Sequence, residues 1–220
     1  MLFSSAIIDD IRVTSEAELA YFYFDFRDIH KQSRRDMITS LLFQLSTQST
    51  RCHEILYRLY SAHHSSAQRP SDGILTECLK DMVSMPSEVP MYIIMDAIDE
   101  CPYTSQDTSG GSPREEILDL VEELVNLRLP QLRLCVTSRA EADIRVVLEP
   151  LSSFRVSLHD KTGHKEDIAN YVRSFVPSDR RMRKWREEDK ELVIRELTER
   201  AAGGSESHCT LVLVAHTSIV

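Results

Sequence analysis

The densest apolar run of the chain lies near its middle, where Met91 to Met95 is uninterrupted, carries two β-branched residues and is opened by Pro90, which cannot continue a helix. That pattern predicts a strand buried on both faces. Three further runs read as strands: the aromatic stretch Leu19 to Phe26, Leu132 to Val136 with Arg133 inside it, and a last one near Phe154 to Leu158. Between them the apolar spacing changes to helical. Met37, Leu41, Leu42 and Leu45 share one face, and Ile55, Leu56, Leu59 and Tyr60 share another, so these two helices form a hairpin. A helix started by Ser71 and Asp72 runs to about Ser84, one with Ile117, Leu120, Val121, Leu124 and Val125 follows a Ser/Thr/Gly-rich surface loop, and a short one covers Ala142 to Leu148. Leu2, Phe3, Ala6, Ile7, Ile8 and Ile11 are also helically spaced, so the chain opens inside a helix with no capping sequence before it.

Strands alternating with helices predict an α/β fold with a parallel sheet. Past His159 the period is helical only, through Ile168, Tyr171, Val172 and Phe175, then Leu192, Val193, Ile194 and Leu197. The basic run Arg180 to Arg186 between them is followed at once by Glu187, Glu188 and Asp189, which reads as a solvated, self-compensating linker. Helical logic stops at Gly203-Gly204, and the tail to Val220, apolar at Leu211 to Ala215, receives no element.

Charge and composition narrow the functions. With 220 residues, 42% hydrophobic, the chain can bury a full core, and its net charge of -9 with pI near 5.4 argues against nucleic acid as a partner. No run approaches the roughly 18 to 20 apolar residues of a membrane span. Five cysteines without a Cys-x-x-Cys pair suggest neither a disulfide framework nor a zinc site, and point to a reducing, cytoplasmic setting. His63-His64 reads as part of a polar loop rather than a metal pair.

Chemistry concentrates where the central strand ends. Asp96, Asp99 and Glu100 arrive together at its carboxyl end, and in open α/β sheets ligands bind in that crevice. A carboxylate there can hold a hydrated Mg²⁺ on a nucleotide's phosphates while a second orients an attacking water. The plainer alternative is that these residues only form a turn or cap a helix.

The aromatic strand closing in Asp25-Phe26, Gln32-Ser33 opening the Leu41-Leu42 helix, the segment Tyr92 to Cys101 and the Thr137-Ser138-Arg139 strand end together resemble the NACHT-type P-loop domain of fungal STAND (NLR-like) proteins, the nephrocystin-3-like N-terminal domain. The resemblance covers roughly residues 1 to 200. It implies a three-layer P-loop NTPase-like parallel sheet over residues 1 to 160, a helical extension over 161 to 200 and an atypical tail over 201 to 220. It also implies Mg²⁺ with ATP or GTP as cofactor, Asp96 as the Mg²⁺-binding Walker B aspartate, Asp99 and Glu100 as the acidic pair that positions water, and Arg139 as the arginine that senses the γ-phosphate. For Arg139 the alternative is a surface ion pair.

Against that pattern, the glycines at 73, 110, 111, 163, 203 and 204 begin no Gly-x-x-x-x-Gly-Lys-[Ser/Thr] loop. The sheet is therefore expected to lack its first strand, leaving apolar edges, and the chain to bind nucleotide weakly or not at all and to hydrolyse none at a useful rate. The expected role is a truncated nucleotide-switch domain of a signalling protein that contacts other protein chains, self-association included. The alternatives are a non-catalytic interaction domain and a gene fragment without an independent role.

Overall fold

The computed structural model describes residues 2–14, 16–64, 69–103, 111–157, 173, 186–203 and 209–215. Its centre is β2 (Met91–Asp96), flanked in parallel by β1 (Glu18–Tyr23) and β3 (Leu132–Arg139). The register is continuous from Glu18 opposite Met91 to Tyr23 opposite Asp96, and from Met91 opposite Leu132 to Met95 opposite Val136. All three carboxyl ends therefore open on the same side. The sheet extends to five strands in the order β1-β2-β3-β5-β4, where β4 is Phe154–Ser157 and β5 is Cys209–Ala215.

Period-2 alternation distributes β2 between two layers. Met91, Ile93 and Met95 join the larger core with α2 (Arg34–Gln48), α4 (Asp72–Val83) and α5 (Pro113–Asn126), while Ile94 turns to the opposite face and packs with Ile8 and Ile11 of α1 (Leu2–Thr14). Helices on both faces of a parallel sheet give the three-layer α/β architecture that the alternation predicts. Ile93, Ile94 and Met95 are fully buried, so truncating any of them to alanine removes on the order of 2–5 kcal/mol.

Short polar signals set the helix starts. The hydroxyls of Ser33, Ser71 and Ser112 accept from the backbone N–H groups of Asp36, Ile74 and Glu115, and Ser112 with Glu115 completes a capping box with Pro113 at the first helical position. The edge of β1 is closed in another way. Gln48 accepts from the Leu19 N–H at 2.9 Å and donates to the Leu19 carbonyl at 2.7 Å, and Gln44 does the same with Tyr21 at 3.1 and 2.8 Å. Four residues along a helix rise about 6 Å and two along a strand about 6.6 Å, so two side-chain amides of α2 stand in for the next strand.

Several boundaries differ from the sequence expectation. α3 (Thr50–His64) runs through His63-His64, which end a helix instead of lying in a loop. α5 takes in Pro113, the last residue of the expected loop, directly after the Ser112 cap, whereas β3 runs to Arg139, with Thr137-Ser138-Arg139 as its end, as expected. α6 (Ala142–Leu151) includes Pro150 near its end. The tail, to which the sequence assigns nothing, forms β5. The chain divides into two compact units, Met1–Val156 with Thr210–Val220, and Ser157–Cys209. The second contains the helix Glu187–Gly203, which opens on three acidic residues; the expected helix through Ile168, Tyr171, Val172 and Phe175 lies outside the described residues. No helix among the described residues is long and apolar enough to cross a membrane.

Candidate functional site

At the end of β2 the chain reverses within four residues. Asp96 is the last strand residue, Ala97 takes left-handed dihedrals (φ 60°, ψ 51°), and Ile98–Glu100 form a single 3-10 turn. A left-handed alanine costs roughly 1–2 kcal/mol and persists only where its surroundings hold it. Here the hold is visible: the Ala97 N–H donates to Thr137 Oγ1 at 2.9 Å, the fully buried Ile98 anchors the turn, and Glu100 N and Cys101 N close it on the carbonyls of Ala97 and Ile98.

The turn sends the three carboxylates to three different partners. Asp96, 3% exposed, accepts on Oδ1 from Thr137 Oγ1 at 2.6 Å and from Ser4 of α1. Thr137 thus bridges β3 to both Asp96 and the Ala97 N–H. Asp99 accepts from the Arg139 N–H at 2.9 Å and faces Arg139 Nε at 3.3 Å; its side chain is 6% exposed, against 59% for the arginine. Glu100 Oε2 accepts from the Phe26 N–H at 3.3 Å, joining the turn to the chain beyond β1. Among the described residues no three His, Cys, Asp or Glu side chains are grouped to hold a metal ion.

Sequence reasoning overlooks the residue that fixes this turn. Arg114, in the first turn of α5 and 6% exposed, donates to the Asp99 carbonyl at 2.6 Å and the Cys101 carbonyl at 3.0 Å. Its other Nη pairs with Glu141 and, at 3.1 Å, with Asp143 at the start of α6, and its guanidinium lies over the Tyr103 ring. Burial opposes its charge, yet the two carboxylates outweigh it and raise the arginine's pKa. A cation in the first turn of a helix works against the helix dipole, and that mismatch is the one signal in the sequence that could have flagged Arg114.

The other rim lies at the end of β1. Gln32 donates to the carbonyls of Asp25 and Phe26 at 3.2 and 2.6 Å and accepts from Cys101 Sγ at 3.0 Å. Asp25 is held by Arg27 through Nε and Nη2, both at 2.9 Å, and these bonds lower its pKa to about 2. Cys101 and Cys135 beside the turn are pushed up to about 12 by burial, which keeps them neutral and unreactive.

A family model described as Nephrocystin 3, N-terminal, matches residues 2–139, a span that opens in α1 and closes on Arg139. No curated protein and no solved structure matches the chain.

Proposed function

The chain belongs to the nephrocystin 3 N-terminal family, and from that premise we propose that the carboxyl ends of β2 and β3 form the metal-and-phosphate side of a NACHT-type nucleotide switch in a signalling protein. The observation that carries this reading is the convergence at one strand end of a buried Asp96 shared by Ser4 and Thr137 hydroxyls with an Asp99 that faces the exposed Arg139. One carboxylate with nearby hydroxyls suits Mg²⁺, which keeps several waters and takes phosphate oxygens in preference to an all-protein cage. Asp96 would hold that ion with ATP or GTP, Asp99 and Glu100 would orient water, and Arg139 would meet the γ-phosphate with its fork of donors. When bound, the ion neutralises phosphate charge.

These 220 residues contain no Gly-x-x-x-x-Gly-Lys-[Ser/Thr] sequence. Phosphoryl transfer depends on positioning, so residues 1–220 alone bind nucleotide poorly and turn over none at a useful rate, and a phosphate cradle has to come from elsewhere, another chain included. Self-association and a cytoplasmic setting fit this reading; among the described residues Cys52, Cys78, Cys101 and Cys135 are free and buried.

A second reading, a non-catalytic interaction domain, is favoured by one feature: Asp96, Asp99 and Glu100 each already have protein partners. Hydrolysis assays on residues 1–220, with and without a preceding strand and Gly-rich loop, separate the two. Turnover restored by the extension and lost in Asp96→Asn supports the switch; an extended chain that never turns over supports the interaction domain.

A further inference from the structure

β3 and β4 follow one another in the chain with only α6 between them, yet they are not neighbours in the sheet. The segment Cys209–Ala215 lies hydrogen-bonded between them. Two strands on either side of a third stand about 9–10 Å apart, too far to pair with each other, so the facing rows of N–H and C=O groups on β3 and β4 depend on β5 for their partners. β5 is an interior strand that arrives last. The chain leaves the sheet's unit at Ser157, builds the separate unit Ser157–Cys209, and returns at Thr210.

The sequence of the returning segment suits an interior position. Cys-Thr-Leu-Val-Leu-Val-Ala has β-branched residues at Thr210, Val212 and Val214 and contains no charge, proline or glycine. That is the composition of a strand covered on both faces, and also of one that pairs readily with any open edge it meets.

We propose that the position between β3 and β4 is an acceptor slot for the segment Cys209–Ala215, and that this segment is a separable plug that a second copy of the chain can supply in place of the chain's own. The backbone pairing is the same in either case. What favours the chain's own strand is effective concentration alone, and a connection that runs through a whole second unit weakens that advantage. Reciprocal exchange then yields a dimer without any new interface chemistry.

The test uses the full chain with a protease recognition sequence inserted between Gly204 and Ser205, cut after folding. The released 205–220 fragment is expected to stay with the body through size exclusion and to be displaced by a fluorescent synthetic peptide of the same sequence. A peptide carrying Val212→Pro and Val214→Pro, which lacks two ladder donors, should not displace it. In the uncut chain, the amides of residues 211–214 should exchange at least about a thousandfold more slowly than unstructured amides. Two differently tagged copies refolded together at high concentration should be captured as a pair, and excess peptide should suppress that capture. A fragment that departs while the body keeps its melting temperature, equal displacement by the proline-bearing peptide, unprotected amides at 211–214, or no co-capture at any concentration would each overturn the proposal.

Discussion

Arg139 closes on Asp99: its backbone N–H donates to Asp99 Oδ1 at 2.9 Å, and its Nε stands 3.3 Å from Oδ2. The arginine expected to sense phosphate and the carboxylate expected to position water are thus each other's partners, at a strand end where any arriving phosphate would compete for the guanidinium. Because the arginine is largely exposed and the backbone bond does not need its side chain, Arg139→Ala should cost only about 0.5 kcal/mol of stability in urea unfolding. A loss of several kcal/mol would show that the pair is a structural anchor.

Arg114 is the opposite case. Its removal leaves Glu141 and Asp143 without their cation and the carbonyls of Asp99 and Cys101 without a donor, in a site where the arginine itself is buried. Breaking a buried pair by deleting one partner costs about 3–5 kcal/mol, so Arg114→Met should lower the unfolding midpoint far more than Arg139→Ala does. Arg114→Lys keeps the charge but not the fork, and should fall between them. Equal effects of all three variants would contradict this ranking.

The amide clamp on β1 predicts a defect of a different kind. Gln44→Leu with Gln48→Leu should remove about 2 kcal/mol, near 1 per lost pair. It should also speed amide exchange at Leu19 and Tyr21 and raise light scattering at high concentration, because an uncovered strand edge templates further pairing. Unchanged exchange at those two amides would mean that the edge is protected by something other than the glutamines.

Acid stability should report Asp25. Its folded pKa of about 2 lies below the ordinary carboxylate value, chiefly through the side-chain hydrogen bonds of Arg27, so its contribution is fully present above about pH 4 and is lost as pH falls through about 2. Arg27, which makes these bonds, is itself 70% exposed. Carboxyl titration by NMR should place Asp25 low in the parent chain and near the ordinary value in Arg27→Gln. A titration that does not move would remove Arg27 as the cause.

What was legible in the sequence was whatever depends on local pattern. Met91 to Met95 announces a doubly covered strand, and the placement of Asp96 at its end follows, because a parallel strand so apolar must sit inside the sheet. Gln44 and Gln48 were not legible, since two glutamines on the polar side of an amphipathic helix look like a solvated face until the neighbouring strand is known. The polarity of His63-His64 suggests a loop, whereas α3 needs apolar contact on only one side and continues to its end. Cys209–Ala215 could not be assigned because a lone apolar heptad carries no sign of which strands will receive it. Arg114 acts through backbone carbonyls thirteen and fifteen residues away, a relation without sequence periodicity.

The proposed switch requires Asp96 and Arg139 to face a common ligand, a Mg²⁺-bound nucleotide phosphate. Calorimetric titration of Mg·ATP and Mg·GTP into residues 1–220 preceded by a strand and Gly-rich loop tests it most directly, with Asp96→Asn and Arg139→Ala in the same background. The account predicts binding in the micromolar range for the extended chain, weakened at least about tenfold by each substitution, or about 1.4 kcal/mol. Both variants binding as tightly as their parent would contradict it.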